Sequence, residues 1–191
     1  ISLFEKFLDH VLKFVDHPKI KSRTRALKNM ALLVHRDPKL LKIPQIKESV
    51  SKKIHDPSPL VRLAVLEILD EYLLKRPAEH PDFYHYVVLT NDKSTAVRLR
   101  SLKISERLFN ATDDMEIKLF LLDKIFKRLE DEEESVLELS QNLLINLLFH
   151  PAGAKLSKEE ELMKLVKETI RTLLLYLGKA AKSRELFEKF L

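Results

Sequence analysis

An acidic turn residue returns along this chain at a nearly fixed interval, and an apolar helical pattern resumes six or seven positions after each one. The stretches are Asp16 to Arg23, Asp56 to Arg62, Asp92 to Arg98 and Asp131 to Leu137, with the Asp residues 40, 36 and 39 positions apart (56 − 16, 92 − 56, 131 − 92). Self-similarity at this period marks a unit of two helices and a turn. Such a unit cannot bury its apolar face alone and must stack on its neighbours. The expected product is an elongated scaffold with long surfaces rather than an enclosed pocket, so the question becomes which partner it holds.

The period and the apolar spacing together predict an all-α, HEAT-type α-solenoid. Helix pairs are expected at about 1–36, 42–76, 81–110 and 113–149, followed by a loop at 150–156 and further solenoid helices over 157–191, the last one cut short. The first pair carries a stripe of Phe7, Leu8, Val11, Leu12, Phe14 and Val15, then a second stripe from Ala26 to Val34. Asp37-Pro38 should end that helix, because the residue before proline is pushed out of the helical region. Pro44 suits the first turn of the next helix, and Ser58-Pro59 reads as a cap followed by a first helical position. The helix from Leu60 to Leu74 is apolar around most of its circumference and should be sandwiched. Phe83 to Leu89 reads as a short aromatic helix, and Ile117 to Leu129 as the first helix of the fourth pair. Asp113, Asp114 and Glu116 suit a helix start, and Ser157 with Glu160 forms a capping-box pattern. Only two glycines occur, Gly153 and Gly178, which leaves little material for strand turns.

Several chemistries lack their residues. Cysteine is absent, so there is neither a disulfide framework nor a thiolate metal site. Two isolated glycines cannot build a phosphate-cradling loop. None of the seven histidines, at 10, 17, 35, 55, 80, 85 and 150, stands in the two-His helical zinc pattern. No serine sits in a nucleophile elbow. These gaps predict a protein that is not an enzyme and binds no cofactor. The longest purely apolar run, Leu173 to Leu177, is far short of the ~20 residues a bilayer span needs. The chain opens at Ile1 without Met, which reads as a piece of a longer protein.

Charge is distributed unevenly. Residues 1–55 carry 13 basic and 5 acidic side chains, residues 56–110 carry 8 of each, and residues 111–161 carry 6 basic and 13 acidic. A basic entry and an acidic far end suit two different partners, or simply a solvated helical surface. In a solenoid, equivalent positions of successive second helices line one side. Arg25, Lys28, Arg100 and Lys103 would then project as a basic stripe able to hold phosphate without reading sequence. Arg23, Arg62 and Arg98 belong to the same helix starts. They could join that stripe, or each could reach an Asp of an adjacent repeat and form a ladder of charge-assisted contacts. The turn Asp residues are expected to accept backbone amides at the next helix start.

Particular runs carry a family resemblance. They are Lys21-Ser22-Arg23-Thr24-Arg25-Ala26-Leu27-Lys28, Asp37-Pro38-Lys39-Leu40-Leu41, Ile54 through Asp56-Pro57-Ser58 to Arg62, Lys75-Arg76-Pro77, Ser94-Thr95-Ala96-Val97-Arg98-Leu99-Arg100 with Leu102-Lys103-Ile104, and Phe126-Lys127-Arg128-Leu129-Glu130-Asp131-Glu132-Glu133. In this order, and closed by Leu148-Phe149-His150-Pro151, they resemble the central HEAT region of the cohesin loader, the Nipped-B/delangin family, over residues 10–151. Leu99 departs from the pattern, since many relatives carry a basic residue there. The resemblance implies a nuclear, chromatin-bound, non-enzymatic subunit that contacts duplex DNA, engages the ATPase heads and kleisin of cohesin, and stimulates the cohesin ATPase. It implies DNA contacts near 23–28 and 98–103, and a companion loader subunit bound through a region outside this stretch. The alternative is a general protein-binding HEAT scaffold of the nuclear-transport or phosphatase-scaffold type, without DNA binding.

Overall fold

The computed structural model describes residues 3–75, 89–149, 167, 170–178 and 181–190. They fall into two compact units that divide between Leu89 and Thr90, and no strand occurs among the described residues. The expected helix at 83–89, the loop after Phe149 and the Ser157 cap lie outside them, apart from Leu89 itself.

The first unit contains α1 (Leu3–Val15), α2 (Ile20–Arg36), α3 (Pro44–Lys53) and α4 (Pro59–Lys75). The two second helices, α2 and α4, pack along each other, while α1 leans on α2 and α3 on α4. Leu27, Val34, Ile46, Val50, Val65, Leu66, Leu69 and Tyr72 are buried between them. Proline sets two of the starts. Pro44 and Pro59 occupy first helical positions, where the missing N–H costs nothing and the fixed φ already suits a helix. Asp37 ends α2 as the residue before proline should, but the chain does not then run free. The Asp37 carboxylate accepts the Lys39 amide, a 3₁₀ turn follows over Pro38–Lys42, and fully buried Leu41 pins it.

The second unit contains α5 (Thr95–Ala111), α6 (Met115–Phe126), α7 (Glu134–Phe149), a helical stretch α8 at 170–178, and α9 (Ala181–Phe190). Again the two second helices, α5 and α7, pack together. Ser101, Ser105 and Ser140 on these two helices are fully buried. Ser105 Oγ donates to the Ser101 carbonyl at 3.0 Å and Ser140 Oγ to the Val136 carbonyl at 2.8 Å, so small side chains come inside without leaving these hydroxyls unsatisfied. Asp114 caps α6 by accepting the Glu116 and Ile117 amides. The α6 helix stops at Phe126, three residues earlier than the apolar pattern implies, because the last turn tightens into 3₁₀ geometry over Lys127–Glu130.

Candidate functional site

The recurring turn builds a polar corner at the start of each second helix. In each corner the side chain at the turn accepts the amide two residues on, and in the first three its carbonyl receives an arginine six residues on. Asp56 accepts the Ser58 amide at 3.0 Å, Asp92 the Ser94 amide at 2.8 Å and Asp131 the Glu133 amide at 3.1 Å. Arg62 donates to the Asp56 carbonyl at 2.7 Å, and Arg98 to the Asp92 carbonyl at 2.8 Å. In the first repeat the structure moves this role by one residue. His17, not Asp16, holds the turn, its Nδ1 accepting the Lys19 amide at 3.1 Å and its carbonyl accepting Arg23 at 3.0 Å. A ring nitrogen with a lone pair serves where a carboxylate oxygen serves elsewhere. Asp16 instead faces Lys53 at 2.8 Å.

Arg23 and Arg98 also bridge to the following turn. Arg23 sends Nε and Nη2 to the two oxygens of Asp56, both at 2.9 Å, and Arg98 sends Nη2 to Asp131 at 2.9 Å. Every participant of the second network lies 75 residues after its counterpart in the first (98 − 23, 131 − 56). The shift also pairs Lys53, 3.9 Å from Asp56, with Arg128, 3.2 Å from Asp131. The two bridging carboxylates are only 3% and 4% exposed at the side chain. Arg23 and Arg98 therefore lie inside the corners, and Arg62 is tied to its own. Lys53 and Arg128 are the members that sequence spacing misses, because they sit before the turn and not in the helix after it. The 75-residue shift would have pointed to them.

Burial by itself would raise the Asp56 carboxyl. The Arg23 fork, the Ser58 amide and the charges of Arg23 and Lys53 outweigh it and hold the group below its ordinary value of 3.8. A lowered folded value means that the folded chain binds fewer protons than the unfolded one, so this corner contributes stability that is complete above the ordinary value and lost as pH falls through the folded one. Urea midpoints at pH 7 and pH 3 should therefore drop further in the wild type than in Asp56→Asn. Equal drops would show that acid sensitivity arises elsewhere.

Most of the remaining candidates face outward. Arg25 and Lys28 on α2 are exposed, as is Lys103 on α5, and Arg100 is half-buried. Helical spacing sets Lys21, Arg25, Lys28 and Arg36 on one face of α2, all exposed, with Leu32 between them. These four cations make no hydrogen bond or ion pair among the described residues. Counted from the corner arginine, Arg25 and Lys28 stand two and five residues on, and Arg100 and Lys103 hold the same places on α5. On α4 those places hold buried Ala64 and exposed Glu67, and on α7 they hold Leu139 and Asn142. The basic pairs thus recur on alternate second helices.

Among the described residues no group of His, Asp and Glu could hold a metal ion, and no helix is long and apolar enough to cross a membrane.

Residues 28–69 match a family model described as a HEAT repeat associated with sister chromatid cohesion. The chain is similar to sister chromatid cohesion protein 2 of Saccharomyces cerevisiae, 28% identical over all of this chain and 12% of that protein. It is also similar to sister chromatid cohesion protein mis4 of Schizosaccharomyces pombe, 30% identical over 86% of this chain and 11% of that protein. The chain thus spans about an eighth of the length of these relatives. In structure it resembles the C-terminal fragment of the Chaetomium thermophilum cohesin loader, with a TM-score of 0.68 and 22% identity over 98% of this chain and 15% of that one. At that identity the likeness fixes the fold, stacked HEAT-type helix pairs.

Proposed function

Since the chain is a HEAT-repeat segment of the cohesin-loader family that includes the yeast sister chromatid cohesion proteins and Nipped-B, we propose that it is a non-enzymatic rung stack that carries the backbone of duplex DNA. The contacts are Arg25 and Lys28 on α2 and Arg100 and Lys103 on α5, while Arg23, Arg62 and Arg98 hold the corners that aim them. The observation that carries this reading is the exposed cationic face of α2, left without internal partners although the arginines beside it are consumed in ion pairs. Point charges on a helix face suit phosphate and carry no base readout. In its parent protein the segment would work in the nucleus on chromatin, hold DNA near the ATPase heads and kleisin of cohesin, and favour their ATPase. The companion loader subunit would bind elsewhere.

Binding of the parent protein to linear duplexes of unrelated sequence tests this. Log affinity should fall with log salt at about −0.9 per phosphate contacted. Reversing Arg25, Lys28, Arg100 and Lys103 to Glu should weaken all the duplexes alike by at least about tenfold and flatten the salt slope by about one per lost contact. Affinity and slope untouched by the four reversals would refute the reading and leave a protein-binding scaffold. Arg23 and Arg98 are unsuitable probes, because their loss would disturb the fold first.

A further inference from the structure

The α1 and α2 helices do not close on each other along their outer edge. A cleft of about 370 Å³ remains between them. Val11 and Ala26 form its floor, Phe7 and Phe14 its walls, and Arg25 and Asn29 its rim. The two phenylalanines are 48% and 39% exposed. Phe14 is nonetheless held in place, with the His10 ring edge-on at 5.0 Å and the His17 ring stacked at 5.8 Å. Side chains ordered before binding lose little entropy when a ligand arrives.

The surroundings select the ligand's charge. Residues 1–55 carry 13 basic against 5 acidic side chains, and Lys13, Lys21 and Lys28 are exposed on the two helices that form the cleft. A phosphate chain would satisfy these cations but has nothing to place on an apolar floor. A neutral apolar segment would fill the floor and leave the cations unused. A volume near the lower end of ligand pockets, ~300–1,000 Å³, suits one or two anchoring side chains and not a whole cofactor. Phe7 and Phe14 stand seven residues apart, about two helical turns or roughly 10 Å. That is the span of apolar anchors on one face of a bound helix.

We propose that the α1–α2 cleft docks an acidic amphipathic helix of a partner protein, its apolar side chains seated between Phe7 and Phe14 and its carboxylates on Arg25 and the neighbouring lysines. The site does not depend on DNA binding, and it places Arg25 on the shared border of two surfaces.

The test is fluorescence anisotropy on the full parent chain with three labelled synthetic helices. One carries Leu at positions i, i+3 and i+7 with Glu elsewhere on its polar face. The second keeps the Leu anchors on a Lys background, and the third keeps the Glu background with Ser in place of Leu. The first should bind, and each of the others should bind at least about tenfold more weakly. Phe7→Ser with Phe14→Ser should weaken the acidic helix by about tenfold or more, since buried aromatic anchors dominate such contacts, and should leave duplex affinity unchanged. Lys103→Glu should do the reverse, which separates failure of this site from failure of the DNA face. Absence of binding, equal binding of the acidic and basic helices, or indifference to the two serines would each overturn the proposal. So would a fall of several degrees in the melting temperature of the double variant without peptide, because it would mark the cleft as a seat for the protein's own chain.

Discussion

Replacing Asp56 with alanine is expected to lower the unfolding free energy at neutral pH by about 3–5 kcal/mol, the range for removing one partner of a buried ion pair. The carboxylate is 3% exposed at the side chain and receives both arms of the Arg23 fork and the Ser58 amide. Its loss strands a guanidinium that is itself only 12% exposed, and a stranded buried charge costs more than the pair contributed. Arg23→Ala should fall in the same range, and the double variant should cost clearly less than the two singles together, because they remove one interaction. Arg23→Lys should rescue poorly, since a single ammonium cannot span both carboxylate oxygens and the two turn carbonyls at once. Lys52→Ala is the control. It breaks an ion pair whose side chains are 68% and 66% exposed and should leave the urea midpoint where it was. An Asp56→Ala midpoint matching that of Lys52→Ala would show that the corner is ornamental.

Asp131→Ala probes the same device 75 residues later, with a difference in wiring. Arg128 occupies the second oxygen there, and Arg98 reaches Asp131 with one nitrogen, its Nε left without a partner. The cost should therefore be shared between two arginines, and neither Arg98→Ala nor Arg128→Ala should match the loss caused by Asp131→Ala.

Much of this was legible because the repeat imposes local chemistry that short-range patterns report. Pro44 and Pro59 mark helix starts, Asp37 an end, and the acidic run at Asp113-Asp114 a further start, and each is observed there, with Asp114 as the cap. The near-continuous apolar face of α4 foretold its burial, with Val61, Val65, Leu66, Ile68, Leu69 and Leu73 all inside, although Leu60 remains 58% exposed. Features that depend on side-chain equivalence were harder to read. His17 does not look like Asp, yet it accepts the same amide, so counting from Asp16 places the first turn one residue early. The 3₁₀ turns at Pro38–Lys42 and Lys127–Glu130 leave no periodic trace, because each is a single tightened turn pinned by its neighbours. The cationic residues at 23, 25, 28, 98, 100 and 103 look alike in sequence. The fold decides between the two fates that spacing allowed Arg23 and Arg98, turning both to a carboxylate across the rung, and leaves Arg25, Lys28 and Lys103 facing water. Helical spacing turns positions two and five residues past the arginine away from the turn, but the neighbours decide their exposure, since Ala64 is buried where Arg25 is exposed.

The second large effect is expected at Phe126. It closes α6, is fully buried, and stacks on the ring of Tyr176 from α8 at 4.6 Å and 14°, with Phe187 from α9 edge-on at 6.1 Å. One side chain thus joins α6 to both later helices. Phe126→Ala should cost about 3–5 kcal/mol through lost burial and the void left behind, with the stacked pair accounting for about 0.5–1.5 kcal/mol of it. Phe126→Leu should cost clearly less, because it keeps most of the volume. The loss should also be local. Lys189 meets Glu130 at 2.6 Å, but both side chains are more than 40% exposed, so this pair cannot hold α9 in place alone. Hydrogen exchange should accordingly show α8 and α9 losing protection first in Phe126→Ala, while α5, which packs on α7, keeps most of its own. Leu174→Ala is the reference, since Leu174 is 65% exposed and should change little. Were Phe126→Ala to cost no more than Leu174→Ala, or to expose α5 and α9 equally, the aromatic stack would not be what ties the last helices to the rung before them.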